Sequence, residues 1–247
     1  IINGRAYMEL SKRLQAVAGL VTAGSRLADI GTDHAYIPIY LTEKGLLSGA
    51  VAADVNRGPL KRAEENIREH GLEGRISTRL SDGFSALEPG EADSAVIAGM
   101  GGGLVIRILS EGRRVVSGLR ECILQPQSEI EKVRAFLLEE GFFFLMEDMV
   151  EEDGKYYPMM KVVPPGQGER SRQESPQWNE TELRYGKLLL EQKHPVLREY
   201  LEKEIRIRTQ IMDSLSGQTS ERTKERMEEL KQELACAGTG MKYYVMQ

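Results

Sequence analysis

Leu27-Ala28-Asp29-Ile30-Gly31-Thr32-Asp33-His34 decides how the chain is read: a short apolar run breaks at a glycine between two carboxylates. A run of this length followed by a turn residue is the mark of a buried strand handing over to a loop. Upstream, Leu10, Leu14, Val17, Ala18 and Val21 recur at helical spacing, which predicts a helix ending at Ala23-Gly24. Downstream, a helical stretch reaches about Gly45, a strand spans Gly49 to Ala53 and closes on Asp54, and a helix from Arg57 to His70 carries Pro59 near its start and stops at Gly71. Further strands are expected at Arg75–Arg79, Asp93–Ala98 and Glu121–Leu124. Ser128-Glu-Ile-Glu131 reads as a capping box opening a helix through Glu140. Phe142–Glu151 and Lys155–Val163 flank Glu-Asp-Gly, a hairpin signal. Strands alternating with helices and then a hairpin imply an α/β fold: a mostly parallel, doubly wound sheet with a reversed edge strand.

The 247 residues are 40% hydrophobic and 29% charged, enough for a packed core, and no run of about 18 apolar residues is present to span a bilayer. A soluble protein with no membrane partner is expected. Cys122 and Cys236 are too few for a disulfide framework or a zinc site, so a reducing cytoplasm and no metal are expected. Met8 is the expected natural start, with the seven residues before it an added remnant. The net charge of −5 argues against a protein that coats nucleic acid nonspecifically, though it leaves room for local basic patches.

The run Pro164 to Pro176 is rich in Pro, Gly, Ser and charge and reads as a linker, placing the boundary between domains of residues 8–165 and 166–247. From residue 166 on, fourteen basic and fourteen acidic residues surround sparse apolar positions such as Leu197, Leu201, Ile205, Met227, Leu230 and Leu234, which predicts long paired, coiled-coil-like helices.

In open parallel sheets, ligands bind outside the carboxyl ends of the strands. Four such loops carry unusual residues. In the first, Gly31 permits a sharp backbone turn while Asp29 and Asp33 bring negative charge. A dinucleotide site would want several glycines around its pyrophosphate, whereas S-adenosylmethionine carries an ammonium and a sulfonium and no phosphate. Asp54, 23 residues after Gly31, stands where a carboxylate accepts ribose hydroxyls. Asp82-Gly83 follows the third strand and offers an acceptor for an adenine amino group. Ala98-Gly99-Met100-Gly101-Gly102-Gly103 follows the fourth, where its glycines open a ligand-sized area to backbone contact. Asp29 and Asp33 also admit purely structural roles, Asp33 as a helix N-cap.

Taken together, Leu10-Ser-Lys-Arg-Leu14, Asp29-Ile-Gly-Thr-Asp-His-Ala-Tyr-Ile-Pro38, Asn56-Arg-Gly-Pro59, Ala98-Gly-Met-Gly-Gly102 and Leu124-Gln-Pro-Gln127 resemble the bacterial tRNA adenine-N1 methyltransferase family often called TrmK. The likeness runs from about Met8 through Val163 and rests on the order and spacing of the motifs. It implies a class I, Rossmann-like S-adenosylmethionine domain followed by a coiled-coil-like helical domain, with N1 of adenine 22 in tRNA as the methylated atom.

On that reading the cofactor residues are Asp29, Gly31, Asp33, Asp54, Asp82, Gly83 and Gly99. His34, Gly99, Met100 and Gly101 are expected at the reacting centre. Lys12, Arg13, Arg57, Lys61 and Arg62 are candidates for tRNA phosphates and Tyr36 for stacking on a base, with Phe84 and the Arg107, Arg113 and Arg114 cluster as further candidates. The residues themselves leave open another RNA, small-molecule or protein substrate, and a catalytically silent module binding S-adenosylmethionine or RNA.

Overall fold

The computed structural model describes residues 8–166, 177–217 and 220–245; the expected remnant at 1–7 and most of the expected linker lie outside them. The chain splits into two compact units, Ile1–Pro176 and Gln177–Gln247.

In the first unit the elements run α1 (Lys12–Gly19), β1 (Ser25–Ile30), α2 (Tyr36–Glu43), β2 (Leu47–Asp54), α3 (Arg57–Glu69), β3 (Ile76–Leu80), β4 (Ser94–Gly101), α4 (Gly102–Glu111), α5 (Arg113–Val116), β5 (Glu121–Ser128), α6 (Ile130–Glu139), β6 (Phe143–Glu152) and β7 (Lys155–Val163). They build one seven-stranded sheet in the order β3-β2-β1-β4-β5-β7-β6. β1 is parallel to β2 and β4, β2 to β3 and β4 to β5, and β7 alone runs against its neighbours. The apolar runs sit at the centre because both faces are covered there: Leu27, Ala28 and Ile30 of β1 and Ala95, Val96 and Ile97 of β4 are almost wholly buried.

Three expectations change. The reversed strand is not at the edge: α6 carries the chain past one position, β6 forms the edge, and β7 folds back into the slot between β5 and β6. α1 ends at Gly19, short of Ala23-Gly24. The capping box at Ser128 does not form. Ser128 remains in β5, and α6 is entered through Glu129 in a left-handed conformation with φ 52°. The physical reason lies next door. α4 begins after Gly101, which has no side chain to cap it, and the free N–H groups of Gly102 and Gly103 donate to Ser128 Oγ at 3.4 Å and Glu129 Oε2 at 3.2 Å. The residues that look like a cap for their own helix cap its neighbour.

Close packing there makes Gly102 a structural requirement: a Cβ on it would stand 2.5 Å from Ser128 O and 2.9 Å from Val133 Cγ2. Gly102→Ala is therefore expected to destabilise the unit by about 1–3 kcal/mol, the usual cost of overpacking, read as a lowered urea midpoint.

The second unit contains α7 (Glu180–Tyr185), α8 (Lys187–Glu191), α9 (Pro195–Leu215) and α10 (Glu221–Val245). A capping box is present here, where Asn179 Oδ1 accepts from Glu182 N at 3.0 Å and Glu182 Oε2 accepts from Asn179 N at 2.9 Å. Leu197, Leu201, Leu230 and Ala237 are buried, and Gly240 lets α10 approach Leu201 of α9. Arg208 bridges the two helices to Glu233.

Candidate functional site

The carboxyl ends of β1 and β4 open on a cavity of about 370 Å³ lined by Arg13, Leu14, Asp29, Gly31, Asp33, Tyr36, Ile37, Ala98, Gly99, Met100 and Gln127. Seven of these were expected from the sequence: Arg13, Asp29, Gly31, Asp33, Tyr36, Gly99 and Met100.

Asp29 is buried at the end of β1 with Oδ2 accepting from Thr32 Oγ1 at 2.6 Å. Burial pushes its carboxyl up to about 6; the Thr32 hydroxyl opposes the shift and the charge of Asp54 adds to it. A carboxylate held at such a cost is suited to a cation arriving from the cavity. After it the backbone turns through Gly31 at φ 72°, and Met100 covers that glycine, its Cε 1.8 Å from where a Cβ would lie. The flexible thioether occupies room that a side chain at residue 31 would need.

His34 and Ala35 follow with φ 61° and 57°, a left-handed pair without glycine. Residues of α3 hold them there. Asn66 Nδ2 donates to His34 O at 2.9 Å, and Arg62 Nε donates to His34 Nε2 at 3.2 Å. His34 stacks on Tyr36 with centroids 5.0 Å apart, and Arg62 also faces Asp33 at 3.6 Å. Asp33 is not a helix cap: α2 starts after Ala35, and the Asp33 side chain is 72% exposed at the cavity rim.

Arg13 projects from α1, where Ser11 caps the helix by accepting from Leu14 N at 3.3 Å. Its Nη1 donates to Gln125 Oε1 at 2.9 Å and its guanidinium lies 5.5 Å from the Tyr157 ring centroid. Gly99, at φ 80°, donates its N–H to the same Gln125 oxygen at 3.2 Å. The expected glycine loop is largely strand, with Met100 and Gly101 paired to Pro126 and Ser128 of β5. Gly99 and Met100 face the cavity. Gly101 does not line it; a Cβ there would meet Ser128 Oγ at 3.3 Å.

Asp54 ends β2 beside β1, its Oδ1 accepting from Asn56 N at 2.6 Å. Two apolar side chains flank it in the open, Val55 at 58% and Leu80 at 47% exposure. Asp82 and Gly83 line a different hollow, with Phe84, Ile108 and Gly112, and both oxygens of Asp82 are taken by Arg107 at 3.0 and 3.1 Å. The expected adenine contact at Asp82 would have to displace that bidentate pair. Phe84 is buried against Gly112, so it is core.

Among the candidate phosphate contacts, Arg62 is committed to the His34 turn, and Arg107, Arg113 and Arg114 pair with Asp82, Glu140 and Glu88. Lys12, Arg57 and Lys61 are exposed with no ion-pair partner among the described residues, and Arg57 and Lys61 line a hollow of their own. The described residues contain no group of three or more His, Cys, Asp or Glu able to hold a metal, and no helix long and apolar enough to cross a membrane.

The cavity suits S-adenosylmethionine in its donor set. Its carboxylates match the charge of an ammonium and a sulfonium, its glycines of positive φ leave room for close approach, and Arg13 is the single cation among the lining residues. Leu14, Ile37, Ala98 and Gln127 line it without having been singled out as site residues.

A profile of the family "TrmK: tRNA (adenine(22)-N(1))-methyltransferase" matches residues 27–238. The Bacillus subtilis tRNA (adenine(22)-N(1))-methyltransferase is 40% identical over 153 residues, a stretch spanning 62% of this chain and 64% of that protein's length. A Streptococcus pneumoniae protein solved in complex with S-adenosyl-L-methionine superposes with TM-score 0.77 at 32% identity, covering 92% of this chain and 100% of that one. The Mycoplasma capricolum TrmK solved with S-adenosyl-homocysteine gives TM-score 0.78 at 27% identity, covering 95% and 98%.

Proposed function

The chain belongs to the tRNA (adenine(22)-N(1))-methyltransferase family, and we propose from that premise that it transfers the methyl group of S-adenosyl-L-methionine to N1 of adenine 22 in the D-arm of tRNA, in the cytoplasm. The observation that carries this reading is the buried Asp29 carboxylate at the base of a cavity that also holds Gly31, Asp33, Tyr36 and Gly99. When bound, the donor supplies an electrophilic methyl on a sulfonium, which the N1 lone pair of adenine takes up without loss of a proton.

The chain therefore needs no general base, and its residues act by binding and orienting. Asp29 and Asp33 hold the amino group of the donor, and Gly31 lets the backbone come close. Asp54 accepts from the ribose hydroxyls, with Val55 and Leu80 offering apolar cover beside it. Tyr36, braced by His34, supplies a face for the target base, and Gly99 and Met100 border the reacting centre. Lys12, Arg57 and Lys61 contact phosphates. Residues 8–165 carry the cofactor, and residues 166–247 take part in binding the tRNA.

Incubation with methyl-labelled S-adenosylmethionine and total bacterial tRNA, followed by nucleoside mass analysis, is expected to yield 1-methyladenosine. Binding of the donor without any labelled nucleoside would contradict the reading.

A further inference from the structure

β5 ends in Gln125-Pro126-Gln127-Ser128, and residues two apart on a strand share a face. The two glutamines differ in what they have left to offer. Gln125 is wholly buried and committed: its oxygen accepts from Arg13 Nη1 and Gly99 N, and its Nε2 donates to Pro126 O at 3.2 Å. Gln127 is exposed and lines the cavity, and among the described residues its carboxamide has no hydrogen-bond partner. Its Nε2 stands 3.8 Å from where a Cβ on Gly99 would lie, which places the amide beside the Gly99 turn at the cavity.

A primary carboxamide pairs with adenine in a specific way, accepting from the N6 amino group and donating to N7. We infer that Gln127 selects adenine by this bidentate contact, with the base stacked on Tyr36; the inference rests on the methyl transfer proposed above. Chemistry decides which edge is read. A donor placed on N1 would occupy the lone pair that must attack, whereas the N6/N7 edge leaves N1 bare. Guanine presents acceptors at both O6 and N7, so either orientation of the amide sets one acceptor against another. Adenine is thus admitted by attraction, and guanine is excluded by repulsion.

The test uses the full chain and intact tRNA transcripts bearing adenine or 7-deazaadenine at position 22. One bidentate contact corresponds to roughly tenfold in kcat/KM. For the unmodified chain, 7-deazaadenine, which removes the N7 half of the contact, is expected to lower kcat/KM about threefold. Gln127→Ala, which removes both halves, should lose about tenfold with adenine and show no further loss with the analogue. Gln127→Glu, which keeps an acceptor but sets a carboxylate against N7, should methylate the analogue better than adenine. Wild-type kcat/KM in Gln127→Ala, or indifference of the unmodified chain to 7-deazaadenine, would overturn the role of Gln127 and leave the proposed reaction standing. No 1-methyladenosine from the unmodified chain on any transcript would overturn the reaction and the inference with it.

Discussion

Asp29→Asn is expected to weaken S-adenosylmethionine binding at pH 7 by about a hundredfold, because it removes one partner of a buried charge pair, a loss of roughly 2–5 kcal/mol. The same substitution is expected to stabilise the free protein. Burial raises the Asp29 carboxyl from 3.8 in the unfolded chain to about 6 in the fold, so the folded state resists its ionisation. The penalty is absent below about pH 4, grows as pH rises through the interval between the two values, and is complete above about 6. A shift of that size corresponds to on the order of 3 kcal/mol. Asparagine keeps an acceptor for the Thr32 hydroxyl and carries no charge. Its advantage in thermal unfolding should therefore be largest above pH 7 and vanish near pH 4. An Asp29→Asn variant no more stable than the parent at pH 8 would show that Asp29 is not strained by burial, and unchanged affinity would remove it from the cofactor site. In the parent chain, affinity should fall as pH drops through 6, when a proton replaces the ligand cation on the carboxylate.

Asp54→Ala separates recognition from packing. Asp54 ends β2 half-buried, and in the free protein its Oδ1 accepts from the Asn56 N–H at the start of α3. Losing that contact costs about 1 kcal/mol of stability. Two ribose hydroxyls donating to a charged acceptor contribute more, so affinity for S-adenosylmethionine should fall at least about tenfold while far-UV circular dichroism stays unchanged. Unchanged affinity by calorimetry would show that β2 does not end at the ribose.

The parts of the fold that were legible in the sequence are those set by local chemistry. Leu27, Ala28 and Ile30 with Ala95, Val96 and Ile97 mark central strands because they are buried apolar residues on both faces, and Gly31, Gly71 and the Asp153-Gly154 turn end or reverse elements where a positive φ is needed. That Asp29, Gly31 and Gly99 line one cavity was legible because ligands gather at strand ends. What escaped depended on neighbours distant in sequence. Ser128 and Glu129 carry the pattern of a cap for α6, but the bare N–H groups of Gly102 and Gly103 are closer to hand. Asp82 reads as a free acceptor until Arg107 is folded against it, and Phe84 reads equally as a stacking or a core residue until it is seen buried against Gly112. The contrast between Gln125 and Gln127 is invisible in a line of residues, since only the positions of Arg13 and Gly99 make one buried and leave the other open. Slotting β7 between β5 and β6 likewise follows from where α6 delivers the chain, which no local pattern encodes.

Methyl transfer to adenine 22 within a folded tRNA is the central claim, and it is tested most directly by nucleoside mass analysis after reaction of the full chain with three RNAs. These are an intact transcript with adenine at position 22, the same transcript with guanine there, and an unstructured oligonucleotide of matching sequence. Drawing a base out of its stack and holding the surrounding phosphates require the folded tRNA, so 1-methyladenosine is expected from the first and little from the other two, with yield falling as salt rises. Efficient formation of 1-methyladenosine from the guanine transcript, or equal yield from the oligonucleotide, would contradict the account.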